Sequence, residues 1–378
     1  MRTLIVSDLH LGSGAGVDVL RRASVRARLW EELAGCDRLV LAGDVLELRH
    51  GPRHEALVAA RPFCEELGRA FAEREVVVLA GNHDHALVEP WLEHRSELSG
   101  APPLGLEQRI EPAATSTMMA QLAAWAAPAR LTAAYPGVWV RPDVYVTHGH
   151  YLDCHLTVPT LERLGIGAMG RLMRRPARNF VGPEDYEAVT VPVFAWIDAV
   201  ARQAPTGDAL NGGLTVRAWR AFGGSNGQDG RDGSIRRRTL RARALAGAFP
   251  LGVAALNRTG LGPFHADLSP GEIRRAGLRA MGEVAARLGL GNAHVVFGHT
   301  HRAGPLPGDA ESEWRGPAGA RLCNTGCWTY DAHFLGASGS SESPYWPGRC
   351  VVVEDDGPPV VRPLLAEHVQ AELMPAPV

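Results

Sequence analysis

Five short clusters of acidic, amide and imidazole residues carry the chemistry legible in this chain. Asp8 and His10 stand two residues apart, so in an extended segment both side chains leave the same side and reach one cation. Asp44 adds a carboxylate that can bridge two cations, Asn82 a neutral carbonyl oxygen, and His148, His299 and His301 three imidazoles. Imidazole mixed with carboxylate and amide oxygen suits Mn, Fe or Zn better than Ca or Mg. Seven such donors exceed what one first-row ion takes from a protein. Two ions with open positions for water and substrate fit better, and ions about 3.5–4 Å apart clamp the attacking and leaving oxygens of an in-line phosphoryl displacement. Singly, each fragment is ordinary: Gly43-Asp44 and Gly81-Asn82-His83 read as turns, and His94, His265 and His368 as surface residues. What distinguishes the set is that every cluster follows an apolar run and every member is a metal-capable type.

Those runs are the elements that must position the donors. Thr3–Val6, Leu39–Ala42, Val76–Ala80, Val144–Thr147 and Ala293–Phe297 read as buried strands, each ending in one cluster. Val17–Ala34 and Glu55–Arg74 read as helical stretches between them, and Arg321–Asn324 and Cys350–Glu354 as further strands. Short apolar strands alternating with helices indicate a layered α/β architecture, in which ligands gather at the carboxyl ends of strands.

The alternation stops between about His155 and Arg275. This stretch holds apparent helices at Val191–Arg202 and Arg236–Leu256 and a Gly/Ser/Asn/Asp-rich loop at Gly223–Gly233. Seventeen arginines against ten acidic residues give it a charge of +7, leaving −9 for the rest of the chain. It reads as an inserted cap. A second small-residue loop spans Gly336–Ser343. The expected organisation is a core at 1–154, the insertion at 155–275, a second core segment at 276–365 and a tail at 366–378.

Composition excludes several classes. With 378 residues, 46% hydrophobic and 21% charged, the chain is neither disordered nor a disulfide scaffold. A net charge of −2 argues against bulk nucleic-acid binding. All 39 basic residues are arginine, which we read as genome composition. Cys36, Cys64, Cys154, Cys323, Cys327 and Cys350 are scattered without zinc-site spacing, so a reduced, cytoplasmic chain is expected. The opening MRTLIVSDLHLG makes a poor signal peptide, and no apolar stretch approaches the length of a membrane span.

The ordered set Asp8/His10, Gly43/Asp44, Gly81/Asn82/His83/Asp84, His148 and Gly298/His299/Thr300/His301 resembles the signature of the calcineurin-like metallophosphoesterases. The resemblance covers about 1–150 and 280–365 and implies an α/β fold of four layers, αββα, with a helical insertion. It assigns Asp8, His10 and His301 to a first metal and Asn82, His148 and His299 to a second, with Asp44 bridging. The metals implied are Mn first, then Fe or Zn. His148 is preferred to His150 because it directly follows its strand; His150 would support it from behind. The implied reaction is hydrolysis of a phosphoester or pyrophosphate by in-line attack of a metal-bridging hydroxide. His83 would stabilise the phosphoryl oxygens and protonate the leaving group, with Asp84 orienting it or capping the following helix. Glu47 is either a support for the site or a solvated loop residue.

Ser-Asp-Leu-His-Leu-Gly at the start, Gly298–Arg302 and Asn324-Thr-Gly-Cys-Trp328 are similar to the branch containing UDP-2,3-diacylglucosamine pyrophosphatases. That branch implies a phosphorylated small-molecule or lipid-linked substrate, with peripheral membrane contact at the inner face through the insertion. Arg302, and Arg174, Arg175 and Arg178 from the insertion, are candidates for holding phosphate, since a guanidinium matches phosphate in two-point geometry. Three other readings compete. A nuclease is disfavoured by the acidic remainder and the lack of interleaved aromatics. A non-catalytic scaffold is disfavoured by the full ligand set. A protein phosphatase has no feature for or against it.

Overall fold

β1 (Thr3–Val6), β2 (Arg38–Ala42) and β3 (Glu75–Leu79) lie side by side in parallel, in register Thr3 to Arg38 and Arg38 to Glu75. They are rich in Val and Leu because both faces are buried, as in parallel strands generally. The period of two divides each strand between two cores. Leu4, Val6, Leu39, Leu41, Val76 and Val78 belong to the core that also contains Leu29 of α1 (Ala23–Leu33), Phe63 of α2 (Arg53–Ala70) and Leu122 of α3 (Thr117–Ala126). The alternate residues Ile5, Val40, Ala42, Val77 and Leu79 cluster with Val138, Val144, Val146, Val296 and Cys323, all of them strand residues or their neighbours. One face of the parallel strands therefore meets helices and the other meets strands.

The structure is a computed structural model that describes residues 1–49, 51–203, 252–267, 269–335 and 339–374. It forms two compact units. Met1–His150, Gly182–Glu184 and Ala285–Val378 make the first, and Tyr151–Val181 with Asp185–Val284 make the second.

In the first unit the strands run in the order β10-β9-β1-β2-β3-β5-β6-β7-β8, with β4 (Glu107–Ile110) beside β5. The two sheets implied by the resemblance are thus halves of one hydrogen-bonded path. The join is β5 (Arg130–Arg141), a long strand that the sequence reading did not find. Its Pro136-Gly137 reads as a break, and the chain does change partners there. Arg130–Ala134 pairs with β3 in parallel, while Gly137–Arg141 pairs antiparallel with β6 (Val144–Thr147). Gly137 is required at the crossing, where a Cβ would collide with the Tyr145 ring. β6, β7 (His294–Phe297) and β8 (Arg321–Asn324) continue in parallel. At the other end, β9 (Arg349–Val353) and β10 (Val360–Pro363) close the sheet antiparallel to β1 and to each other.

The second unit is helical where it is described. α4 (Leu161–Leu172) starts at Thr160, whose hydroxyl accepts the Arg163 amide at 3.1 Å, a side-chain cap. α5 (Pro183–Gln203) contains the stretch Val191–Arg202 read as helical. The two helices touch at Gly165, where a Cβ would press on Val193. Tyr186 stacks on Tyr151 and meets Phe180 edge-on. The loop Gly223–Gly233 and Arg236–Leu251 lie outside the described residues. Among the described residues, no helix is long and apolar enough to cross a membrane.

Candidate metal centre

Every strand that ends in a metal-capable cluster delivers it to one place within the first unit. Asp8, Asp44 and Asn82 follow the carboxyl ends of the adjacent parallel strands β1, β2 and β3, and His148 and His299 follow those of β6 and β7. Backbone bonds lace the loops together: Asp8 N–H to Gly43 C=O at 3.1 Å, His10 N–H to Asp44 C=O at 2.9 Å, and Gly298 N–H to His148 C=O at 2.9 Å. Glycine permits the close approach. A Cβ on Gly81 would strike Asp44, one on Gly43 would strike His148, and one on Gly298 would strike Ser7 and Asp8.

The backbone itself is held in an uncommon conformation. Asp8, His10, Asp44, His299 and His301 have φ between +44° and +66°, a left-handed region that non-glycine residues rarely enter. Such strain persists where the surrounding structure over-determines it, and it concentrates at functional sites.

The side chains form two overlapping groups. In the first, His10 Nε2 lies 3.2 Å from His301 Nε2, and His301 Nε2 lies 3.3 Å from Asp8 Oδ1. In the second, His148 Nε2 and His299 Nδ1 approach Asn82 Oδ1 at 3.1 and 3.0 Å. Asp44 Oδ2 stands between them, 3.7 Å from His10 Nε2 and 3.3 Å from His148 Nε2. Asp8, His10 and His301 form one set whose ligand atoms share a common small volume, and Asp44, His148 and His299 form another. Facing imidazole nitrogens and buried carboxylates are the donor set of divalent first-row ions, so the residues fit the cations that the sequence implies.

Groups behind the donors fix their orientation. His148 Nδ1–H donates to the Ala42 carbonyl at 3.0 Å, so Nε2 is the nitrogen turned toward Asp44. His10 Nδ1 meets Glu47 Oε2 at 3.0 Å, with the same result. Thr329 Oγ1 lies 3.4 Å from His301 Nδ1. The electrostatics follow from crowding. Burial opposes ionisation of Asp44, yet His148 and His83 hold its carboxyl well below the usual range. Burial likewise opposes charge on His148, and Asp44 outweighs it, raising the ring to about 9. His301 is raised against burial by Asp8. A divalent ion would replace these protons as the partner of the carboxylates.

Asp84 takes a different place from the one expected. The Asp84 carboxylate is fully buried and accepts backbone N–H groups from Gly81 at 2.7 Å, Asp44 at 3.2 Å and Val45 at 2.7 Å. It neither caps the following turn nor holds the His83 ring; it fixes the Asp44 and Gly81 loops together. Burial and the Asp44 charge raise it to about 6. Glu47 meets the His83 ring, 2.9 Å from Nδ1. Glu47 is 5% exposed, not a solvated loop residue, and one carboxylate serves both His10 and His83. Burial lowers His83 to about 4 against the pull of Glu47 and Asp44.

Glu47→Gln keeps the shape and removes the charge. We expect metal affinity to fall about 10–100-fold, the usual effect of losing a carboxylate behind a ligating imidazole. Turnover at saturating metal should fall as well. Calorimetric metal titration beside a rate assay checks both; wild-type affinity in this variant would show that Glu47 does not orient His10.

The remaining candidates separate. His150 is buried, with its ring 5.6 Å from that of His148, and burial with the neighbouring imidazoles holds it well below its usual value. Arg302 is forked onto Asp309 at 2.6 and 2.8 Å and lies over the Trp314 ring, so its guanidinium is already engaged. Arg174, Arg175 and Arg178 lie in the second unit, outside the one that holds the cluster. Sequence reasoning missed the support from Ser7, whose hydroxyl donates to the Asp8 carboxylate, and from Asn324 and Thr329. Asn324 Nδ2 donates to Gly298 C=O at 2.7 Å and to Thr300 at 3.0 Å, holding the loop that carries His299 and His301. The signal available was the position of Asn324 at the end of a strand beside the one bearing that loop.

A sequence model of the Calcineurin-like phosphoesterase family matches residues 1–171. No curated protein gives a match to this chain. The match contains Asp8, His10, Asp44, Asn82, His83 and His148, and the fold brings His299 and His301 to them from far downstream. It supports the metallophosphoesterase superfamily and, with the His/Asp groups, suits a metal-dependent phosphoester hydrolase binding divalent ions.

Proposed function

We propose, starting from a calcineurin-like phosphoesterase domain whose donors converge in one cluster, that this chain hydrolyses a phosphoester or pyrophosphate bond at a pair of metal ions, Mn²⁺ first among Mn, Fe and Zn. The observation that carries the reading is Asp44, whose Oδ2 lies within 3.7 Å of an imidazole from each of the two donor groups. Asp8, His10 and His301 would hold one ion, Asn82, His148 and His299 the other, and Asp44 both. When bound, two such ions supply Lewis-acid polarisation of phosphoryl oxygen and a lowered pKa for water at neutral pH.

The chain's own residues do the rest. Glu47 and the Ala42 carbonyl fix the His10 and His148 rings so that Nε2 of each faces the centre. Asp84 holds the Asp44 and Gly81 loops by their amides. His83 stands at the edge of the site with 22% of its side chain exposed, where it can reach a bound substrate. Its Nδ1–H points at Glu47, so the neutral ring offers a lone pair at Nε2. An anionic substrate raises the ring's proton affinity, and the protonated ring donates from Nε2 to the departing oxygen while Glu47 keeps hold of Nδ1–H. The similarity to the diacylglucosamine pyrophosphatase branch motivates testing sugar-nucleotide and lipid-linked pyrophosphates among the substrates.

The test is hydrolysis of bis-p-nitrophenyl phosphate and p-nitrophenyl phosphate by metal-stripped protein refilled with Mn²⁺, with Asn82→Ala alongside. Activity restored by the metal and lost in the variant is the expected result. Bound metal without hydrolysis of any phosphoester or pyrophosphate would contradict the proposed activity.

A further inference from the structure

One oxygen of Asp8 is closed off from behind. Ser7 directly follows β1 and Thr325 directly follows β8, and the fold brings the two together across 318 positions of sequence. Ser7 is 1% exposed, and Asp8 and Thr325 are fully buried, so solvent does not reach them. Asp8 Oδ2 accepts the Ser7 hydroxyl and the His299 N–H at 3.0 Å. The same N–H lies 3.2 Å from Oδ1, the oxygen that faces His301. The Ser7 oxygen in turn lies 2.5 Å from Thr325 Oγ1, with the Gly326 carbonyl farther off at 3.4 Å. A hydroxyl has one proton to give, and an ionised carboxylate only accepts. The Ser7 proton therefore goes to Asp8, and Thr325 donates to Ser7. The other acceptor near Thr325, the Phe297 carbonyl at 3.3 Å, already takes the Thr325 N–H at 2.9 Å. A Cβ on Gly298 would strike both the Ser7 hydroxyl and Asp8 Oδ2, so the glycine belongs to the same closure.

We infer that Ser7 and Thr325 are positioning residues that hold Asp8 to a single ligating oxygen, Oδ1, and thereby set which divalent ion the first donor group accepts. The inference rests on the proposed assignment of Asp8, His10 and His301 to one ion. A carboxylate can offer an ion one oxygen or two, and Ca²⁺ uses either, gathering about six to eight oxygens in all. With Oδ2 committed to two donors, Asp8 does not chelate. The first group then presents two imidazoles and one oxygen each from Asp8 and Asp44, whose own Oδ1 is taken by the His83 N–H at 2.8 Å. That set is poor in oxygen for Ca²⁺ and suits a first-row ion. Without the Ser7 hydroxyl, Oδ2 keeps one donor and can turn toward the ion, which favours Ca²⁺.

The experiment is Mn²⁺ binding to the metal-stripped full chain, read from the resonance of free Mn²⁺, with Ca²⁺ as competitor. The quantity compared is the Ca²⁺ dissociation constant divided by that of Mn²⁺, for the ion displaced first. In Ser7→Ala this ratio should fall at least about tenfold below wild type, the smaller end of what a partner behind a ligand contributes. Thr325→Val should lower it by less, because Ser7 still donates to Asp8 but loses the donor that fixes it, and Thr325→Ser should restore the wild-type ratio. A role in packing alone would weaken both ions together and leave the ratio unmoved. An unmoved ratio in folded Ser7→Ala, or in folded Thr325→Val should the alanine variant not fold, would overturn the inference while wild-type Mn²⁺ binding, and the reading it rests on, stand. A wild type that binds no Mn²⁺ would overturn both.

Discussion

Asp44→Asn should abolish nearly all hydrolysis, by about 10³-fold or more, the scale of removing an electrostatic clamp from a reacting phosphoryl group. The substitution keeps the side chain's shape. The amide can still accept the His83 backbone N–H that Asp44 Oδ1 takes at 2.8 Å. What it loses is the negative charge shared by the two donor groups, at a position 2% exposed where solvent cannot replace it. Metal content should fall from two ions per chain to one or fewer, since three donors on each side remain without the anion that links them. The measurement is elemental analysis beside the rate, on protein shown to be folded. Two ions retained with wild-type turnover would remove Asp44 from the bridging position.

His83→Ala should behave differently, and the contrast is informative. His83 has its Nδ1 on Glu47 and belongs to neither of the two trios assigned to the ions. Alanine there should leave metal content near two per chain while turnover falls about 10²–10⁴-fold, the range for a positioned acid or base. The loss should be larger for substrates with poor leaving groups, because these depend on the proton that His83 delivers. Equal loss for p-nitrophenyl and alkyl leaving groups would leave His83 only the stabilisation of phosphoryl oxygens. Loss of metal in this variant would make the ring a ligand. The third group found among the donors, His10, Asp44 and His83, makes that outcome worth measuring.

The donors were legible in the sequence because each follows a strand made of Val, Leu and Ile, and such runs stand out whatever surrounds them. β1, β6 and β8 fall on the runs as read, and β2, β3, β7 and β9 within one residue of them. β5 was hidden by Pro136-Gly137, since a strand that exchanges partners at its middle carries a turn signal where it bends. With it was hidden the way the two halves of the sheet join. Around the site, sequence proximity misled in two cases. Asp84 adjoins His83 in the chain, yet its carboxylate turns back to the amides of Gly81, Asp44 and Val45. Arg302 adjoins His301, yet it is taken by Asp309 seven residues on. Glu47 shows the converse. It is 36 residues from His83, and only the pairing of β2 with β3 brings the two together. The left-handed backbone at five of the donors was not legible either, because nothing in Asp or His announces it.

Electron paramagnetic resonance of metal-stripped protein titrated with Mn²⁺, run on wild type and on Asp44→Asn, tests the central claim most directly. Two ions joined through Asp44 predict binding of two Mn²⁺ per chain and an exchange-coupled signal that disappears in the variant. A single uncoupled Mn²⁺ in the wild type, or coupling that survives in Asp44→Asn, would contradict it.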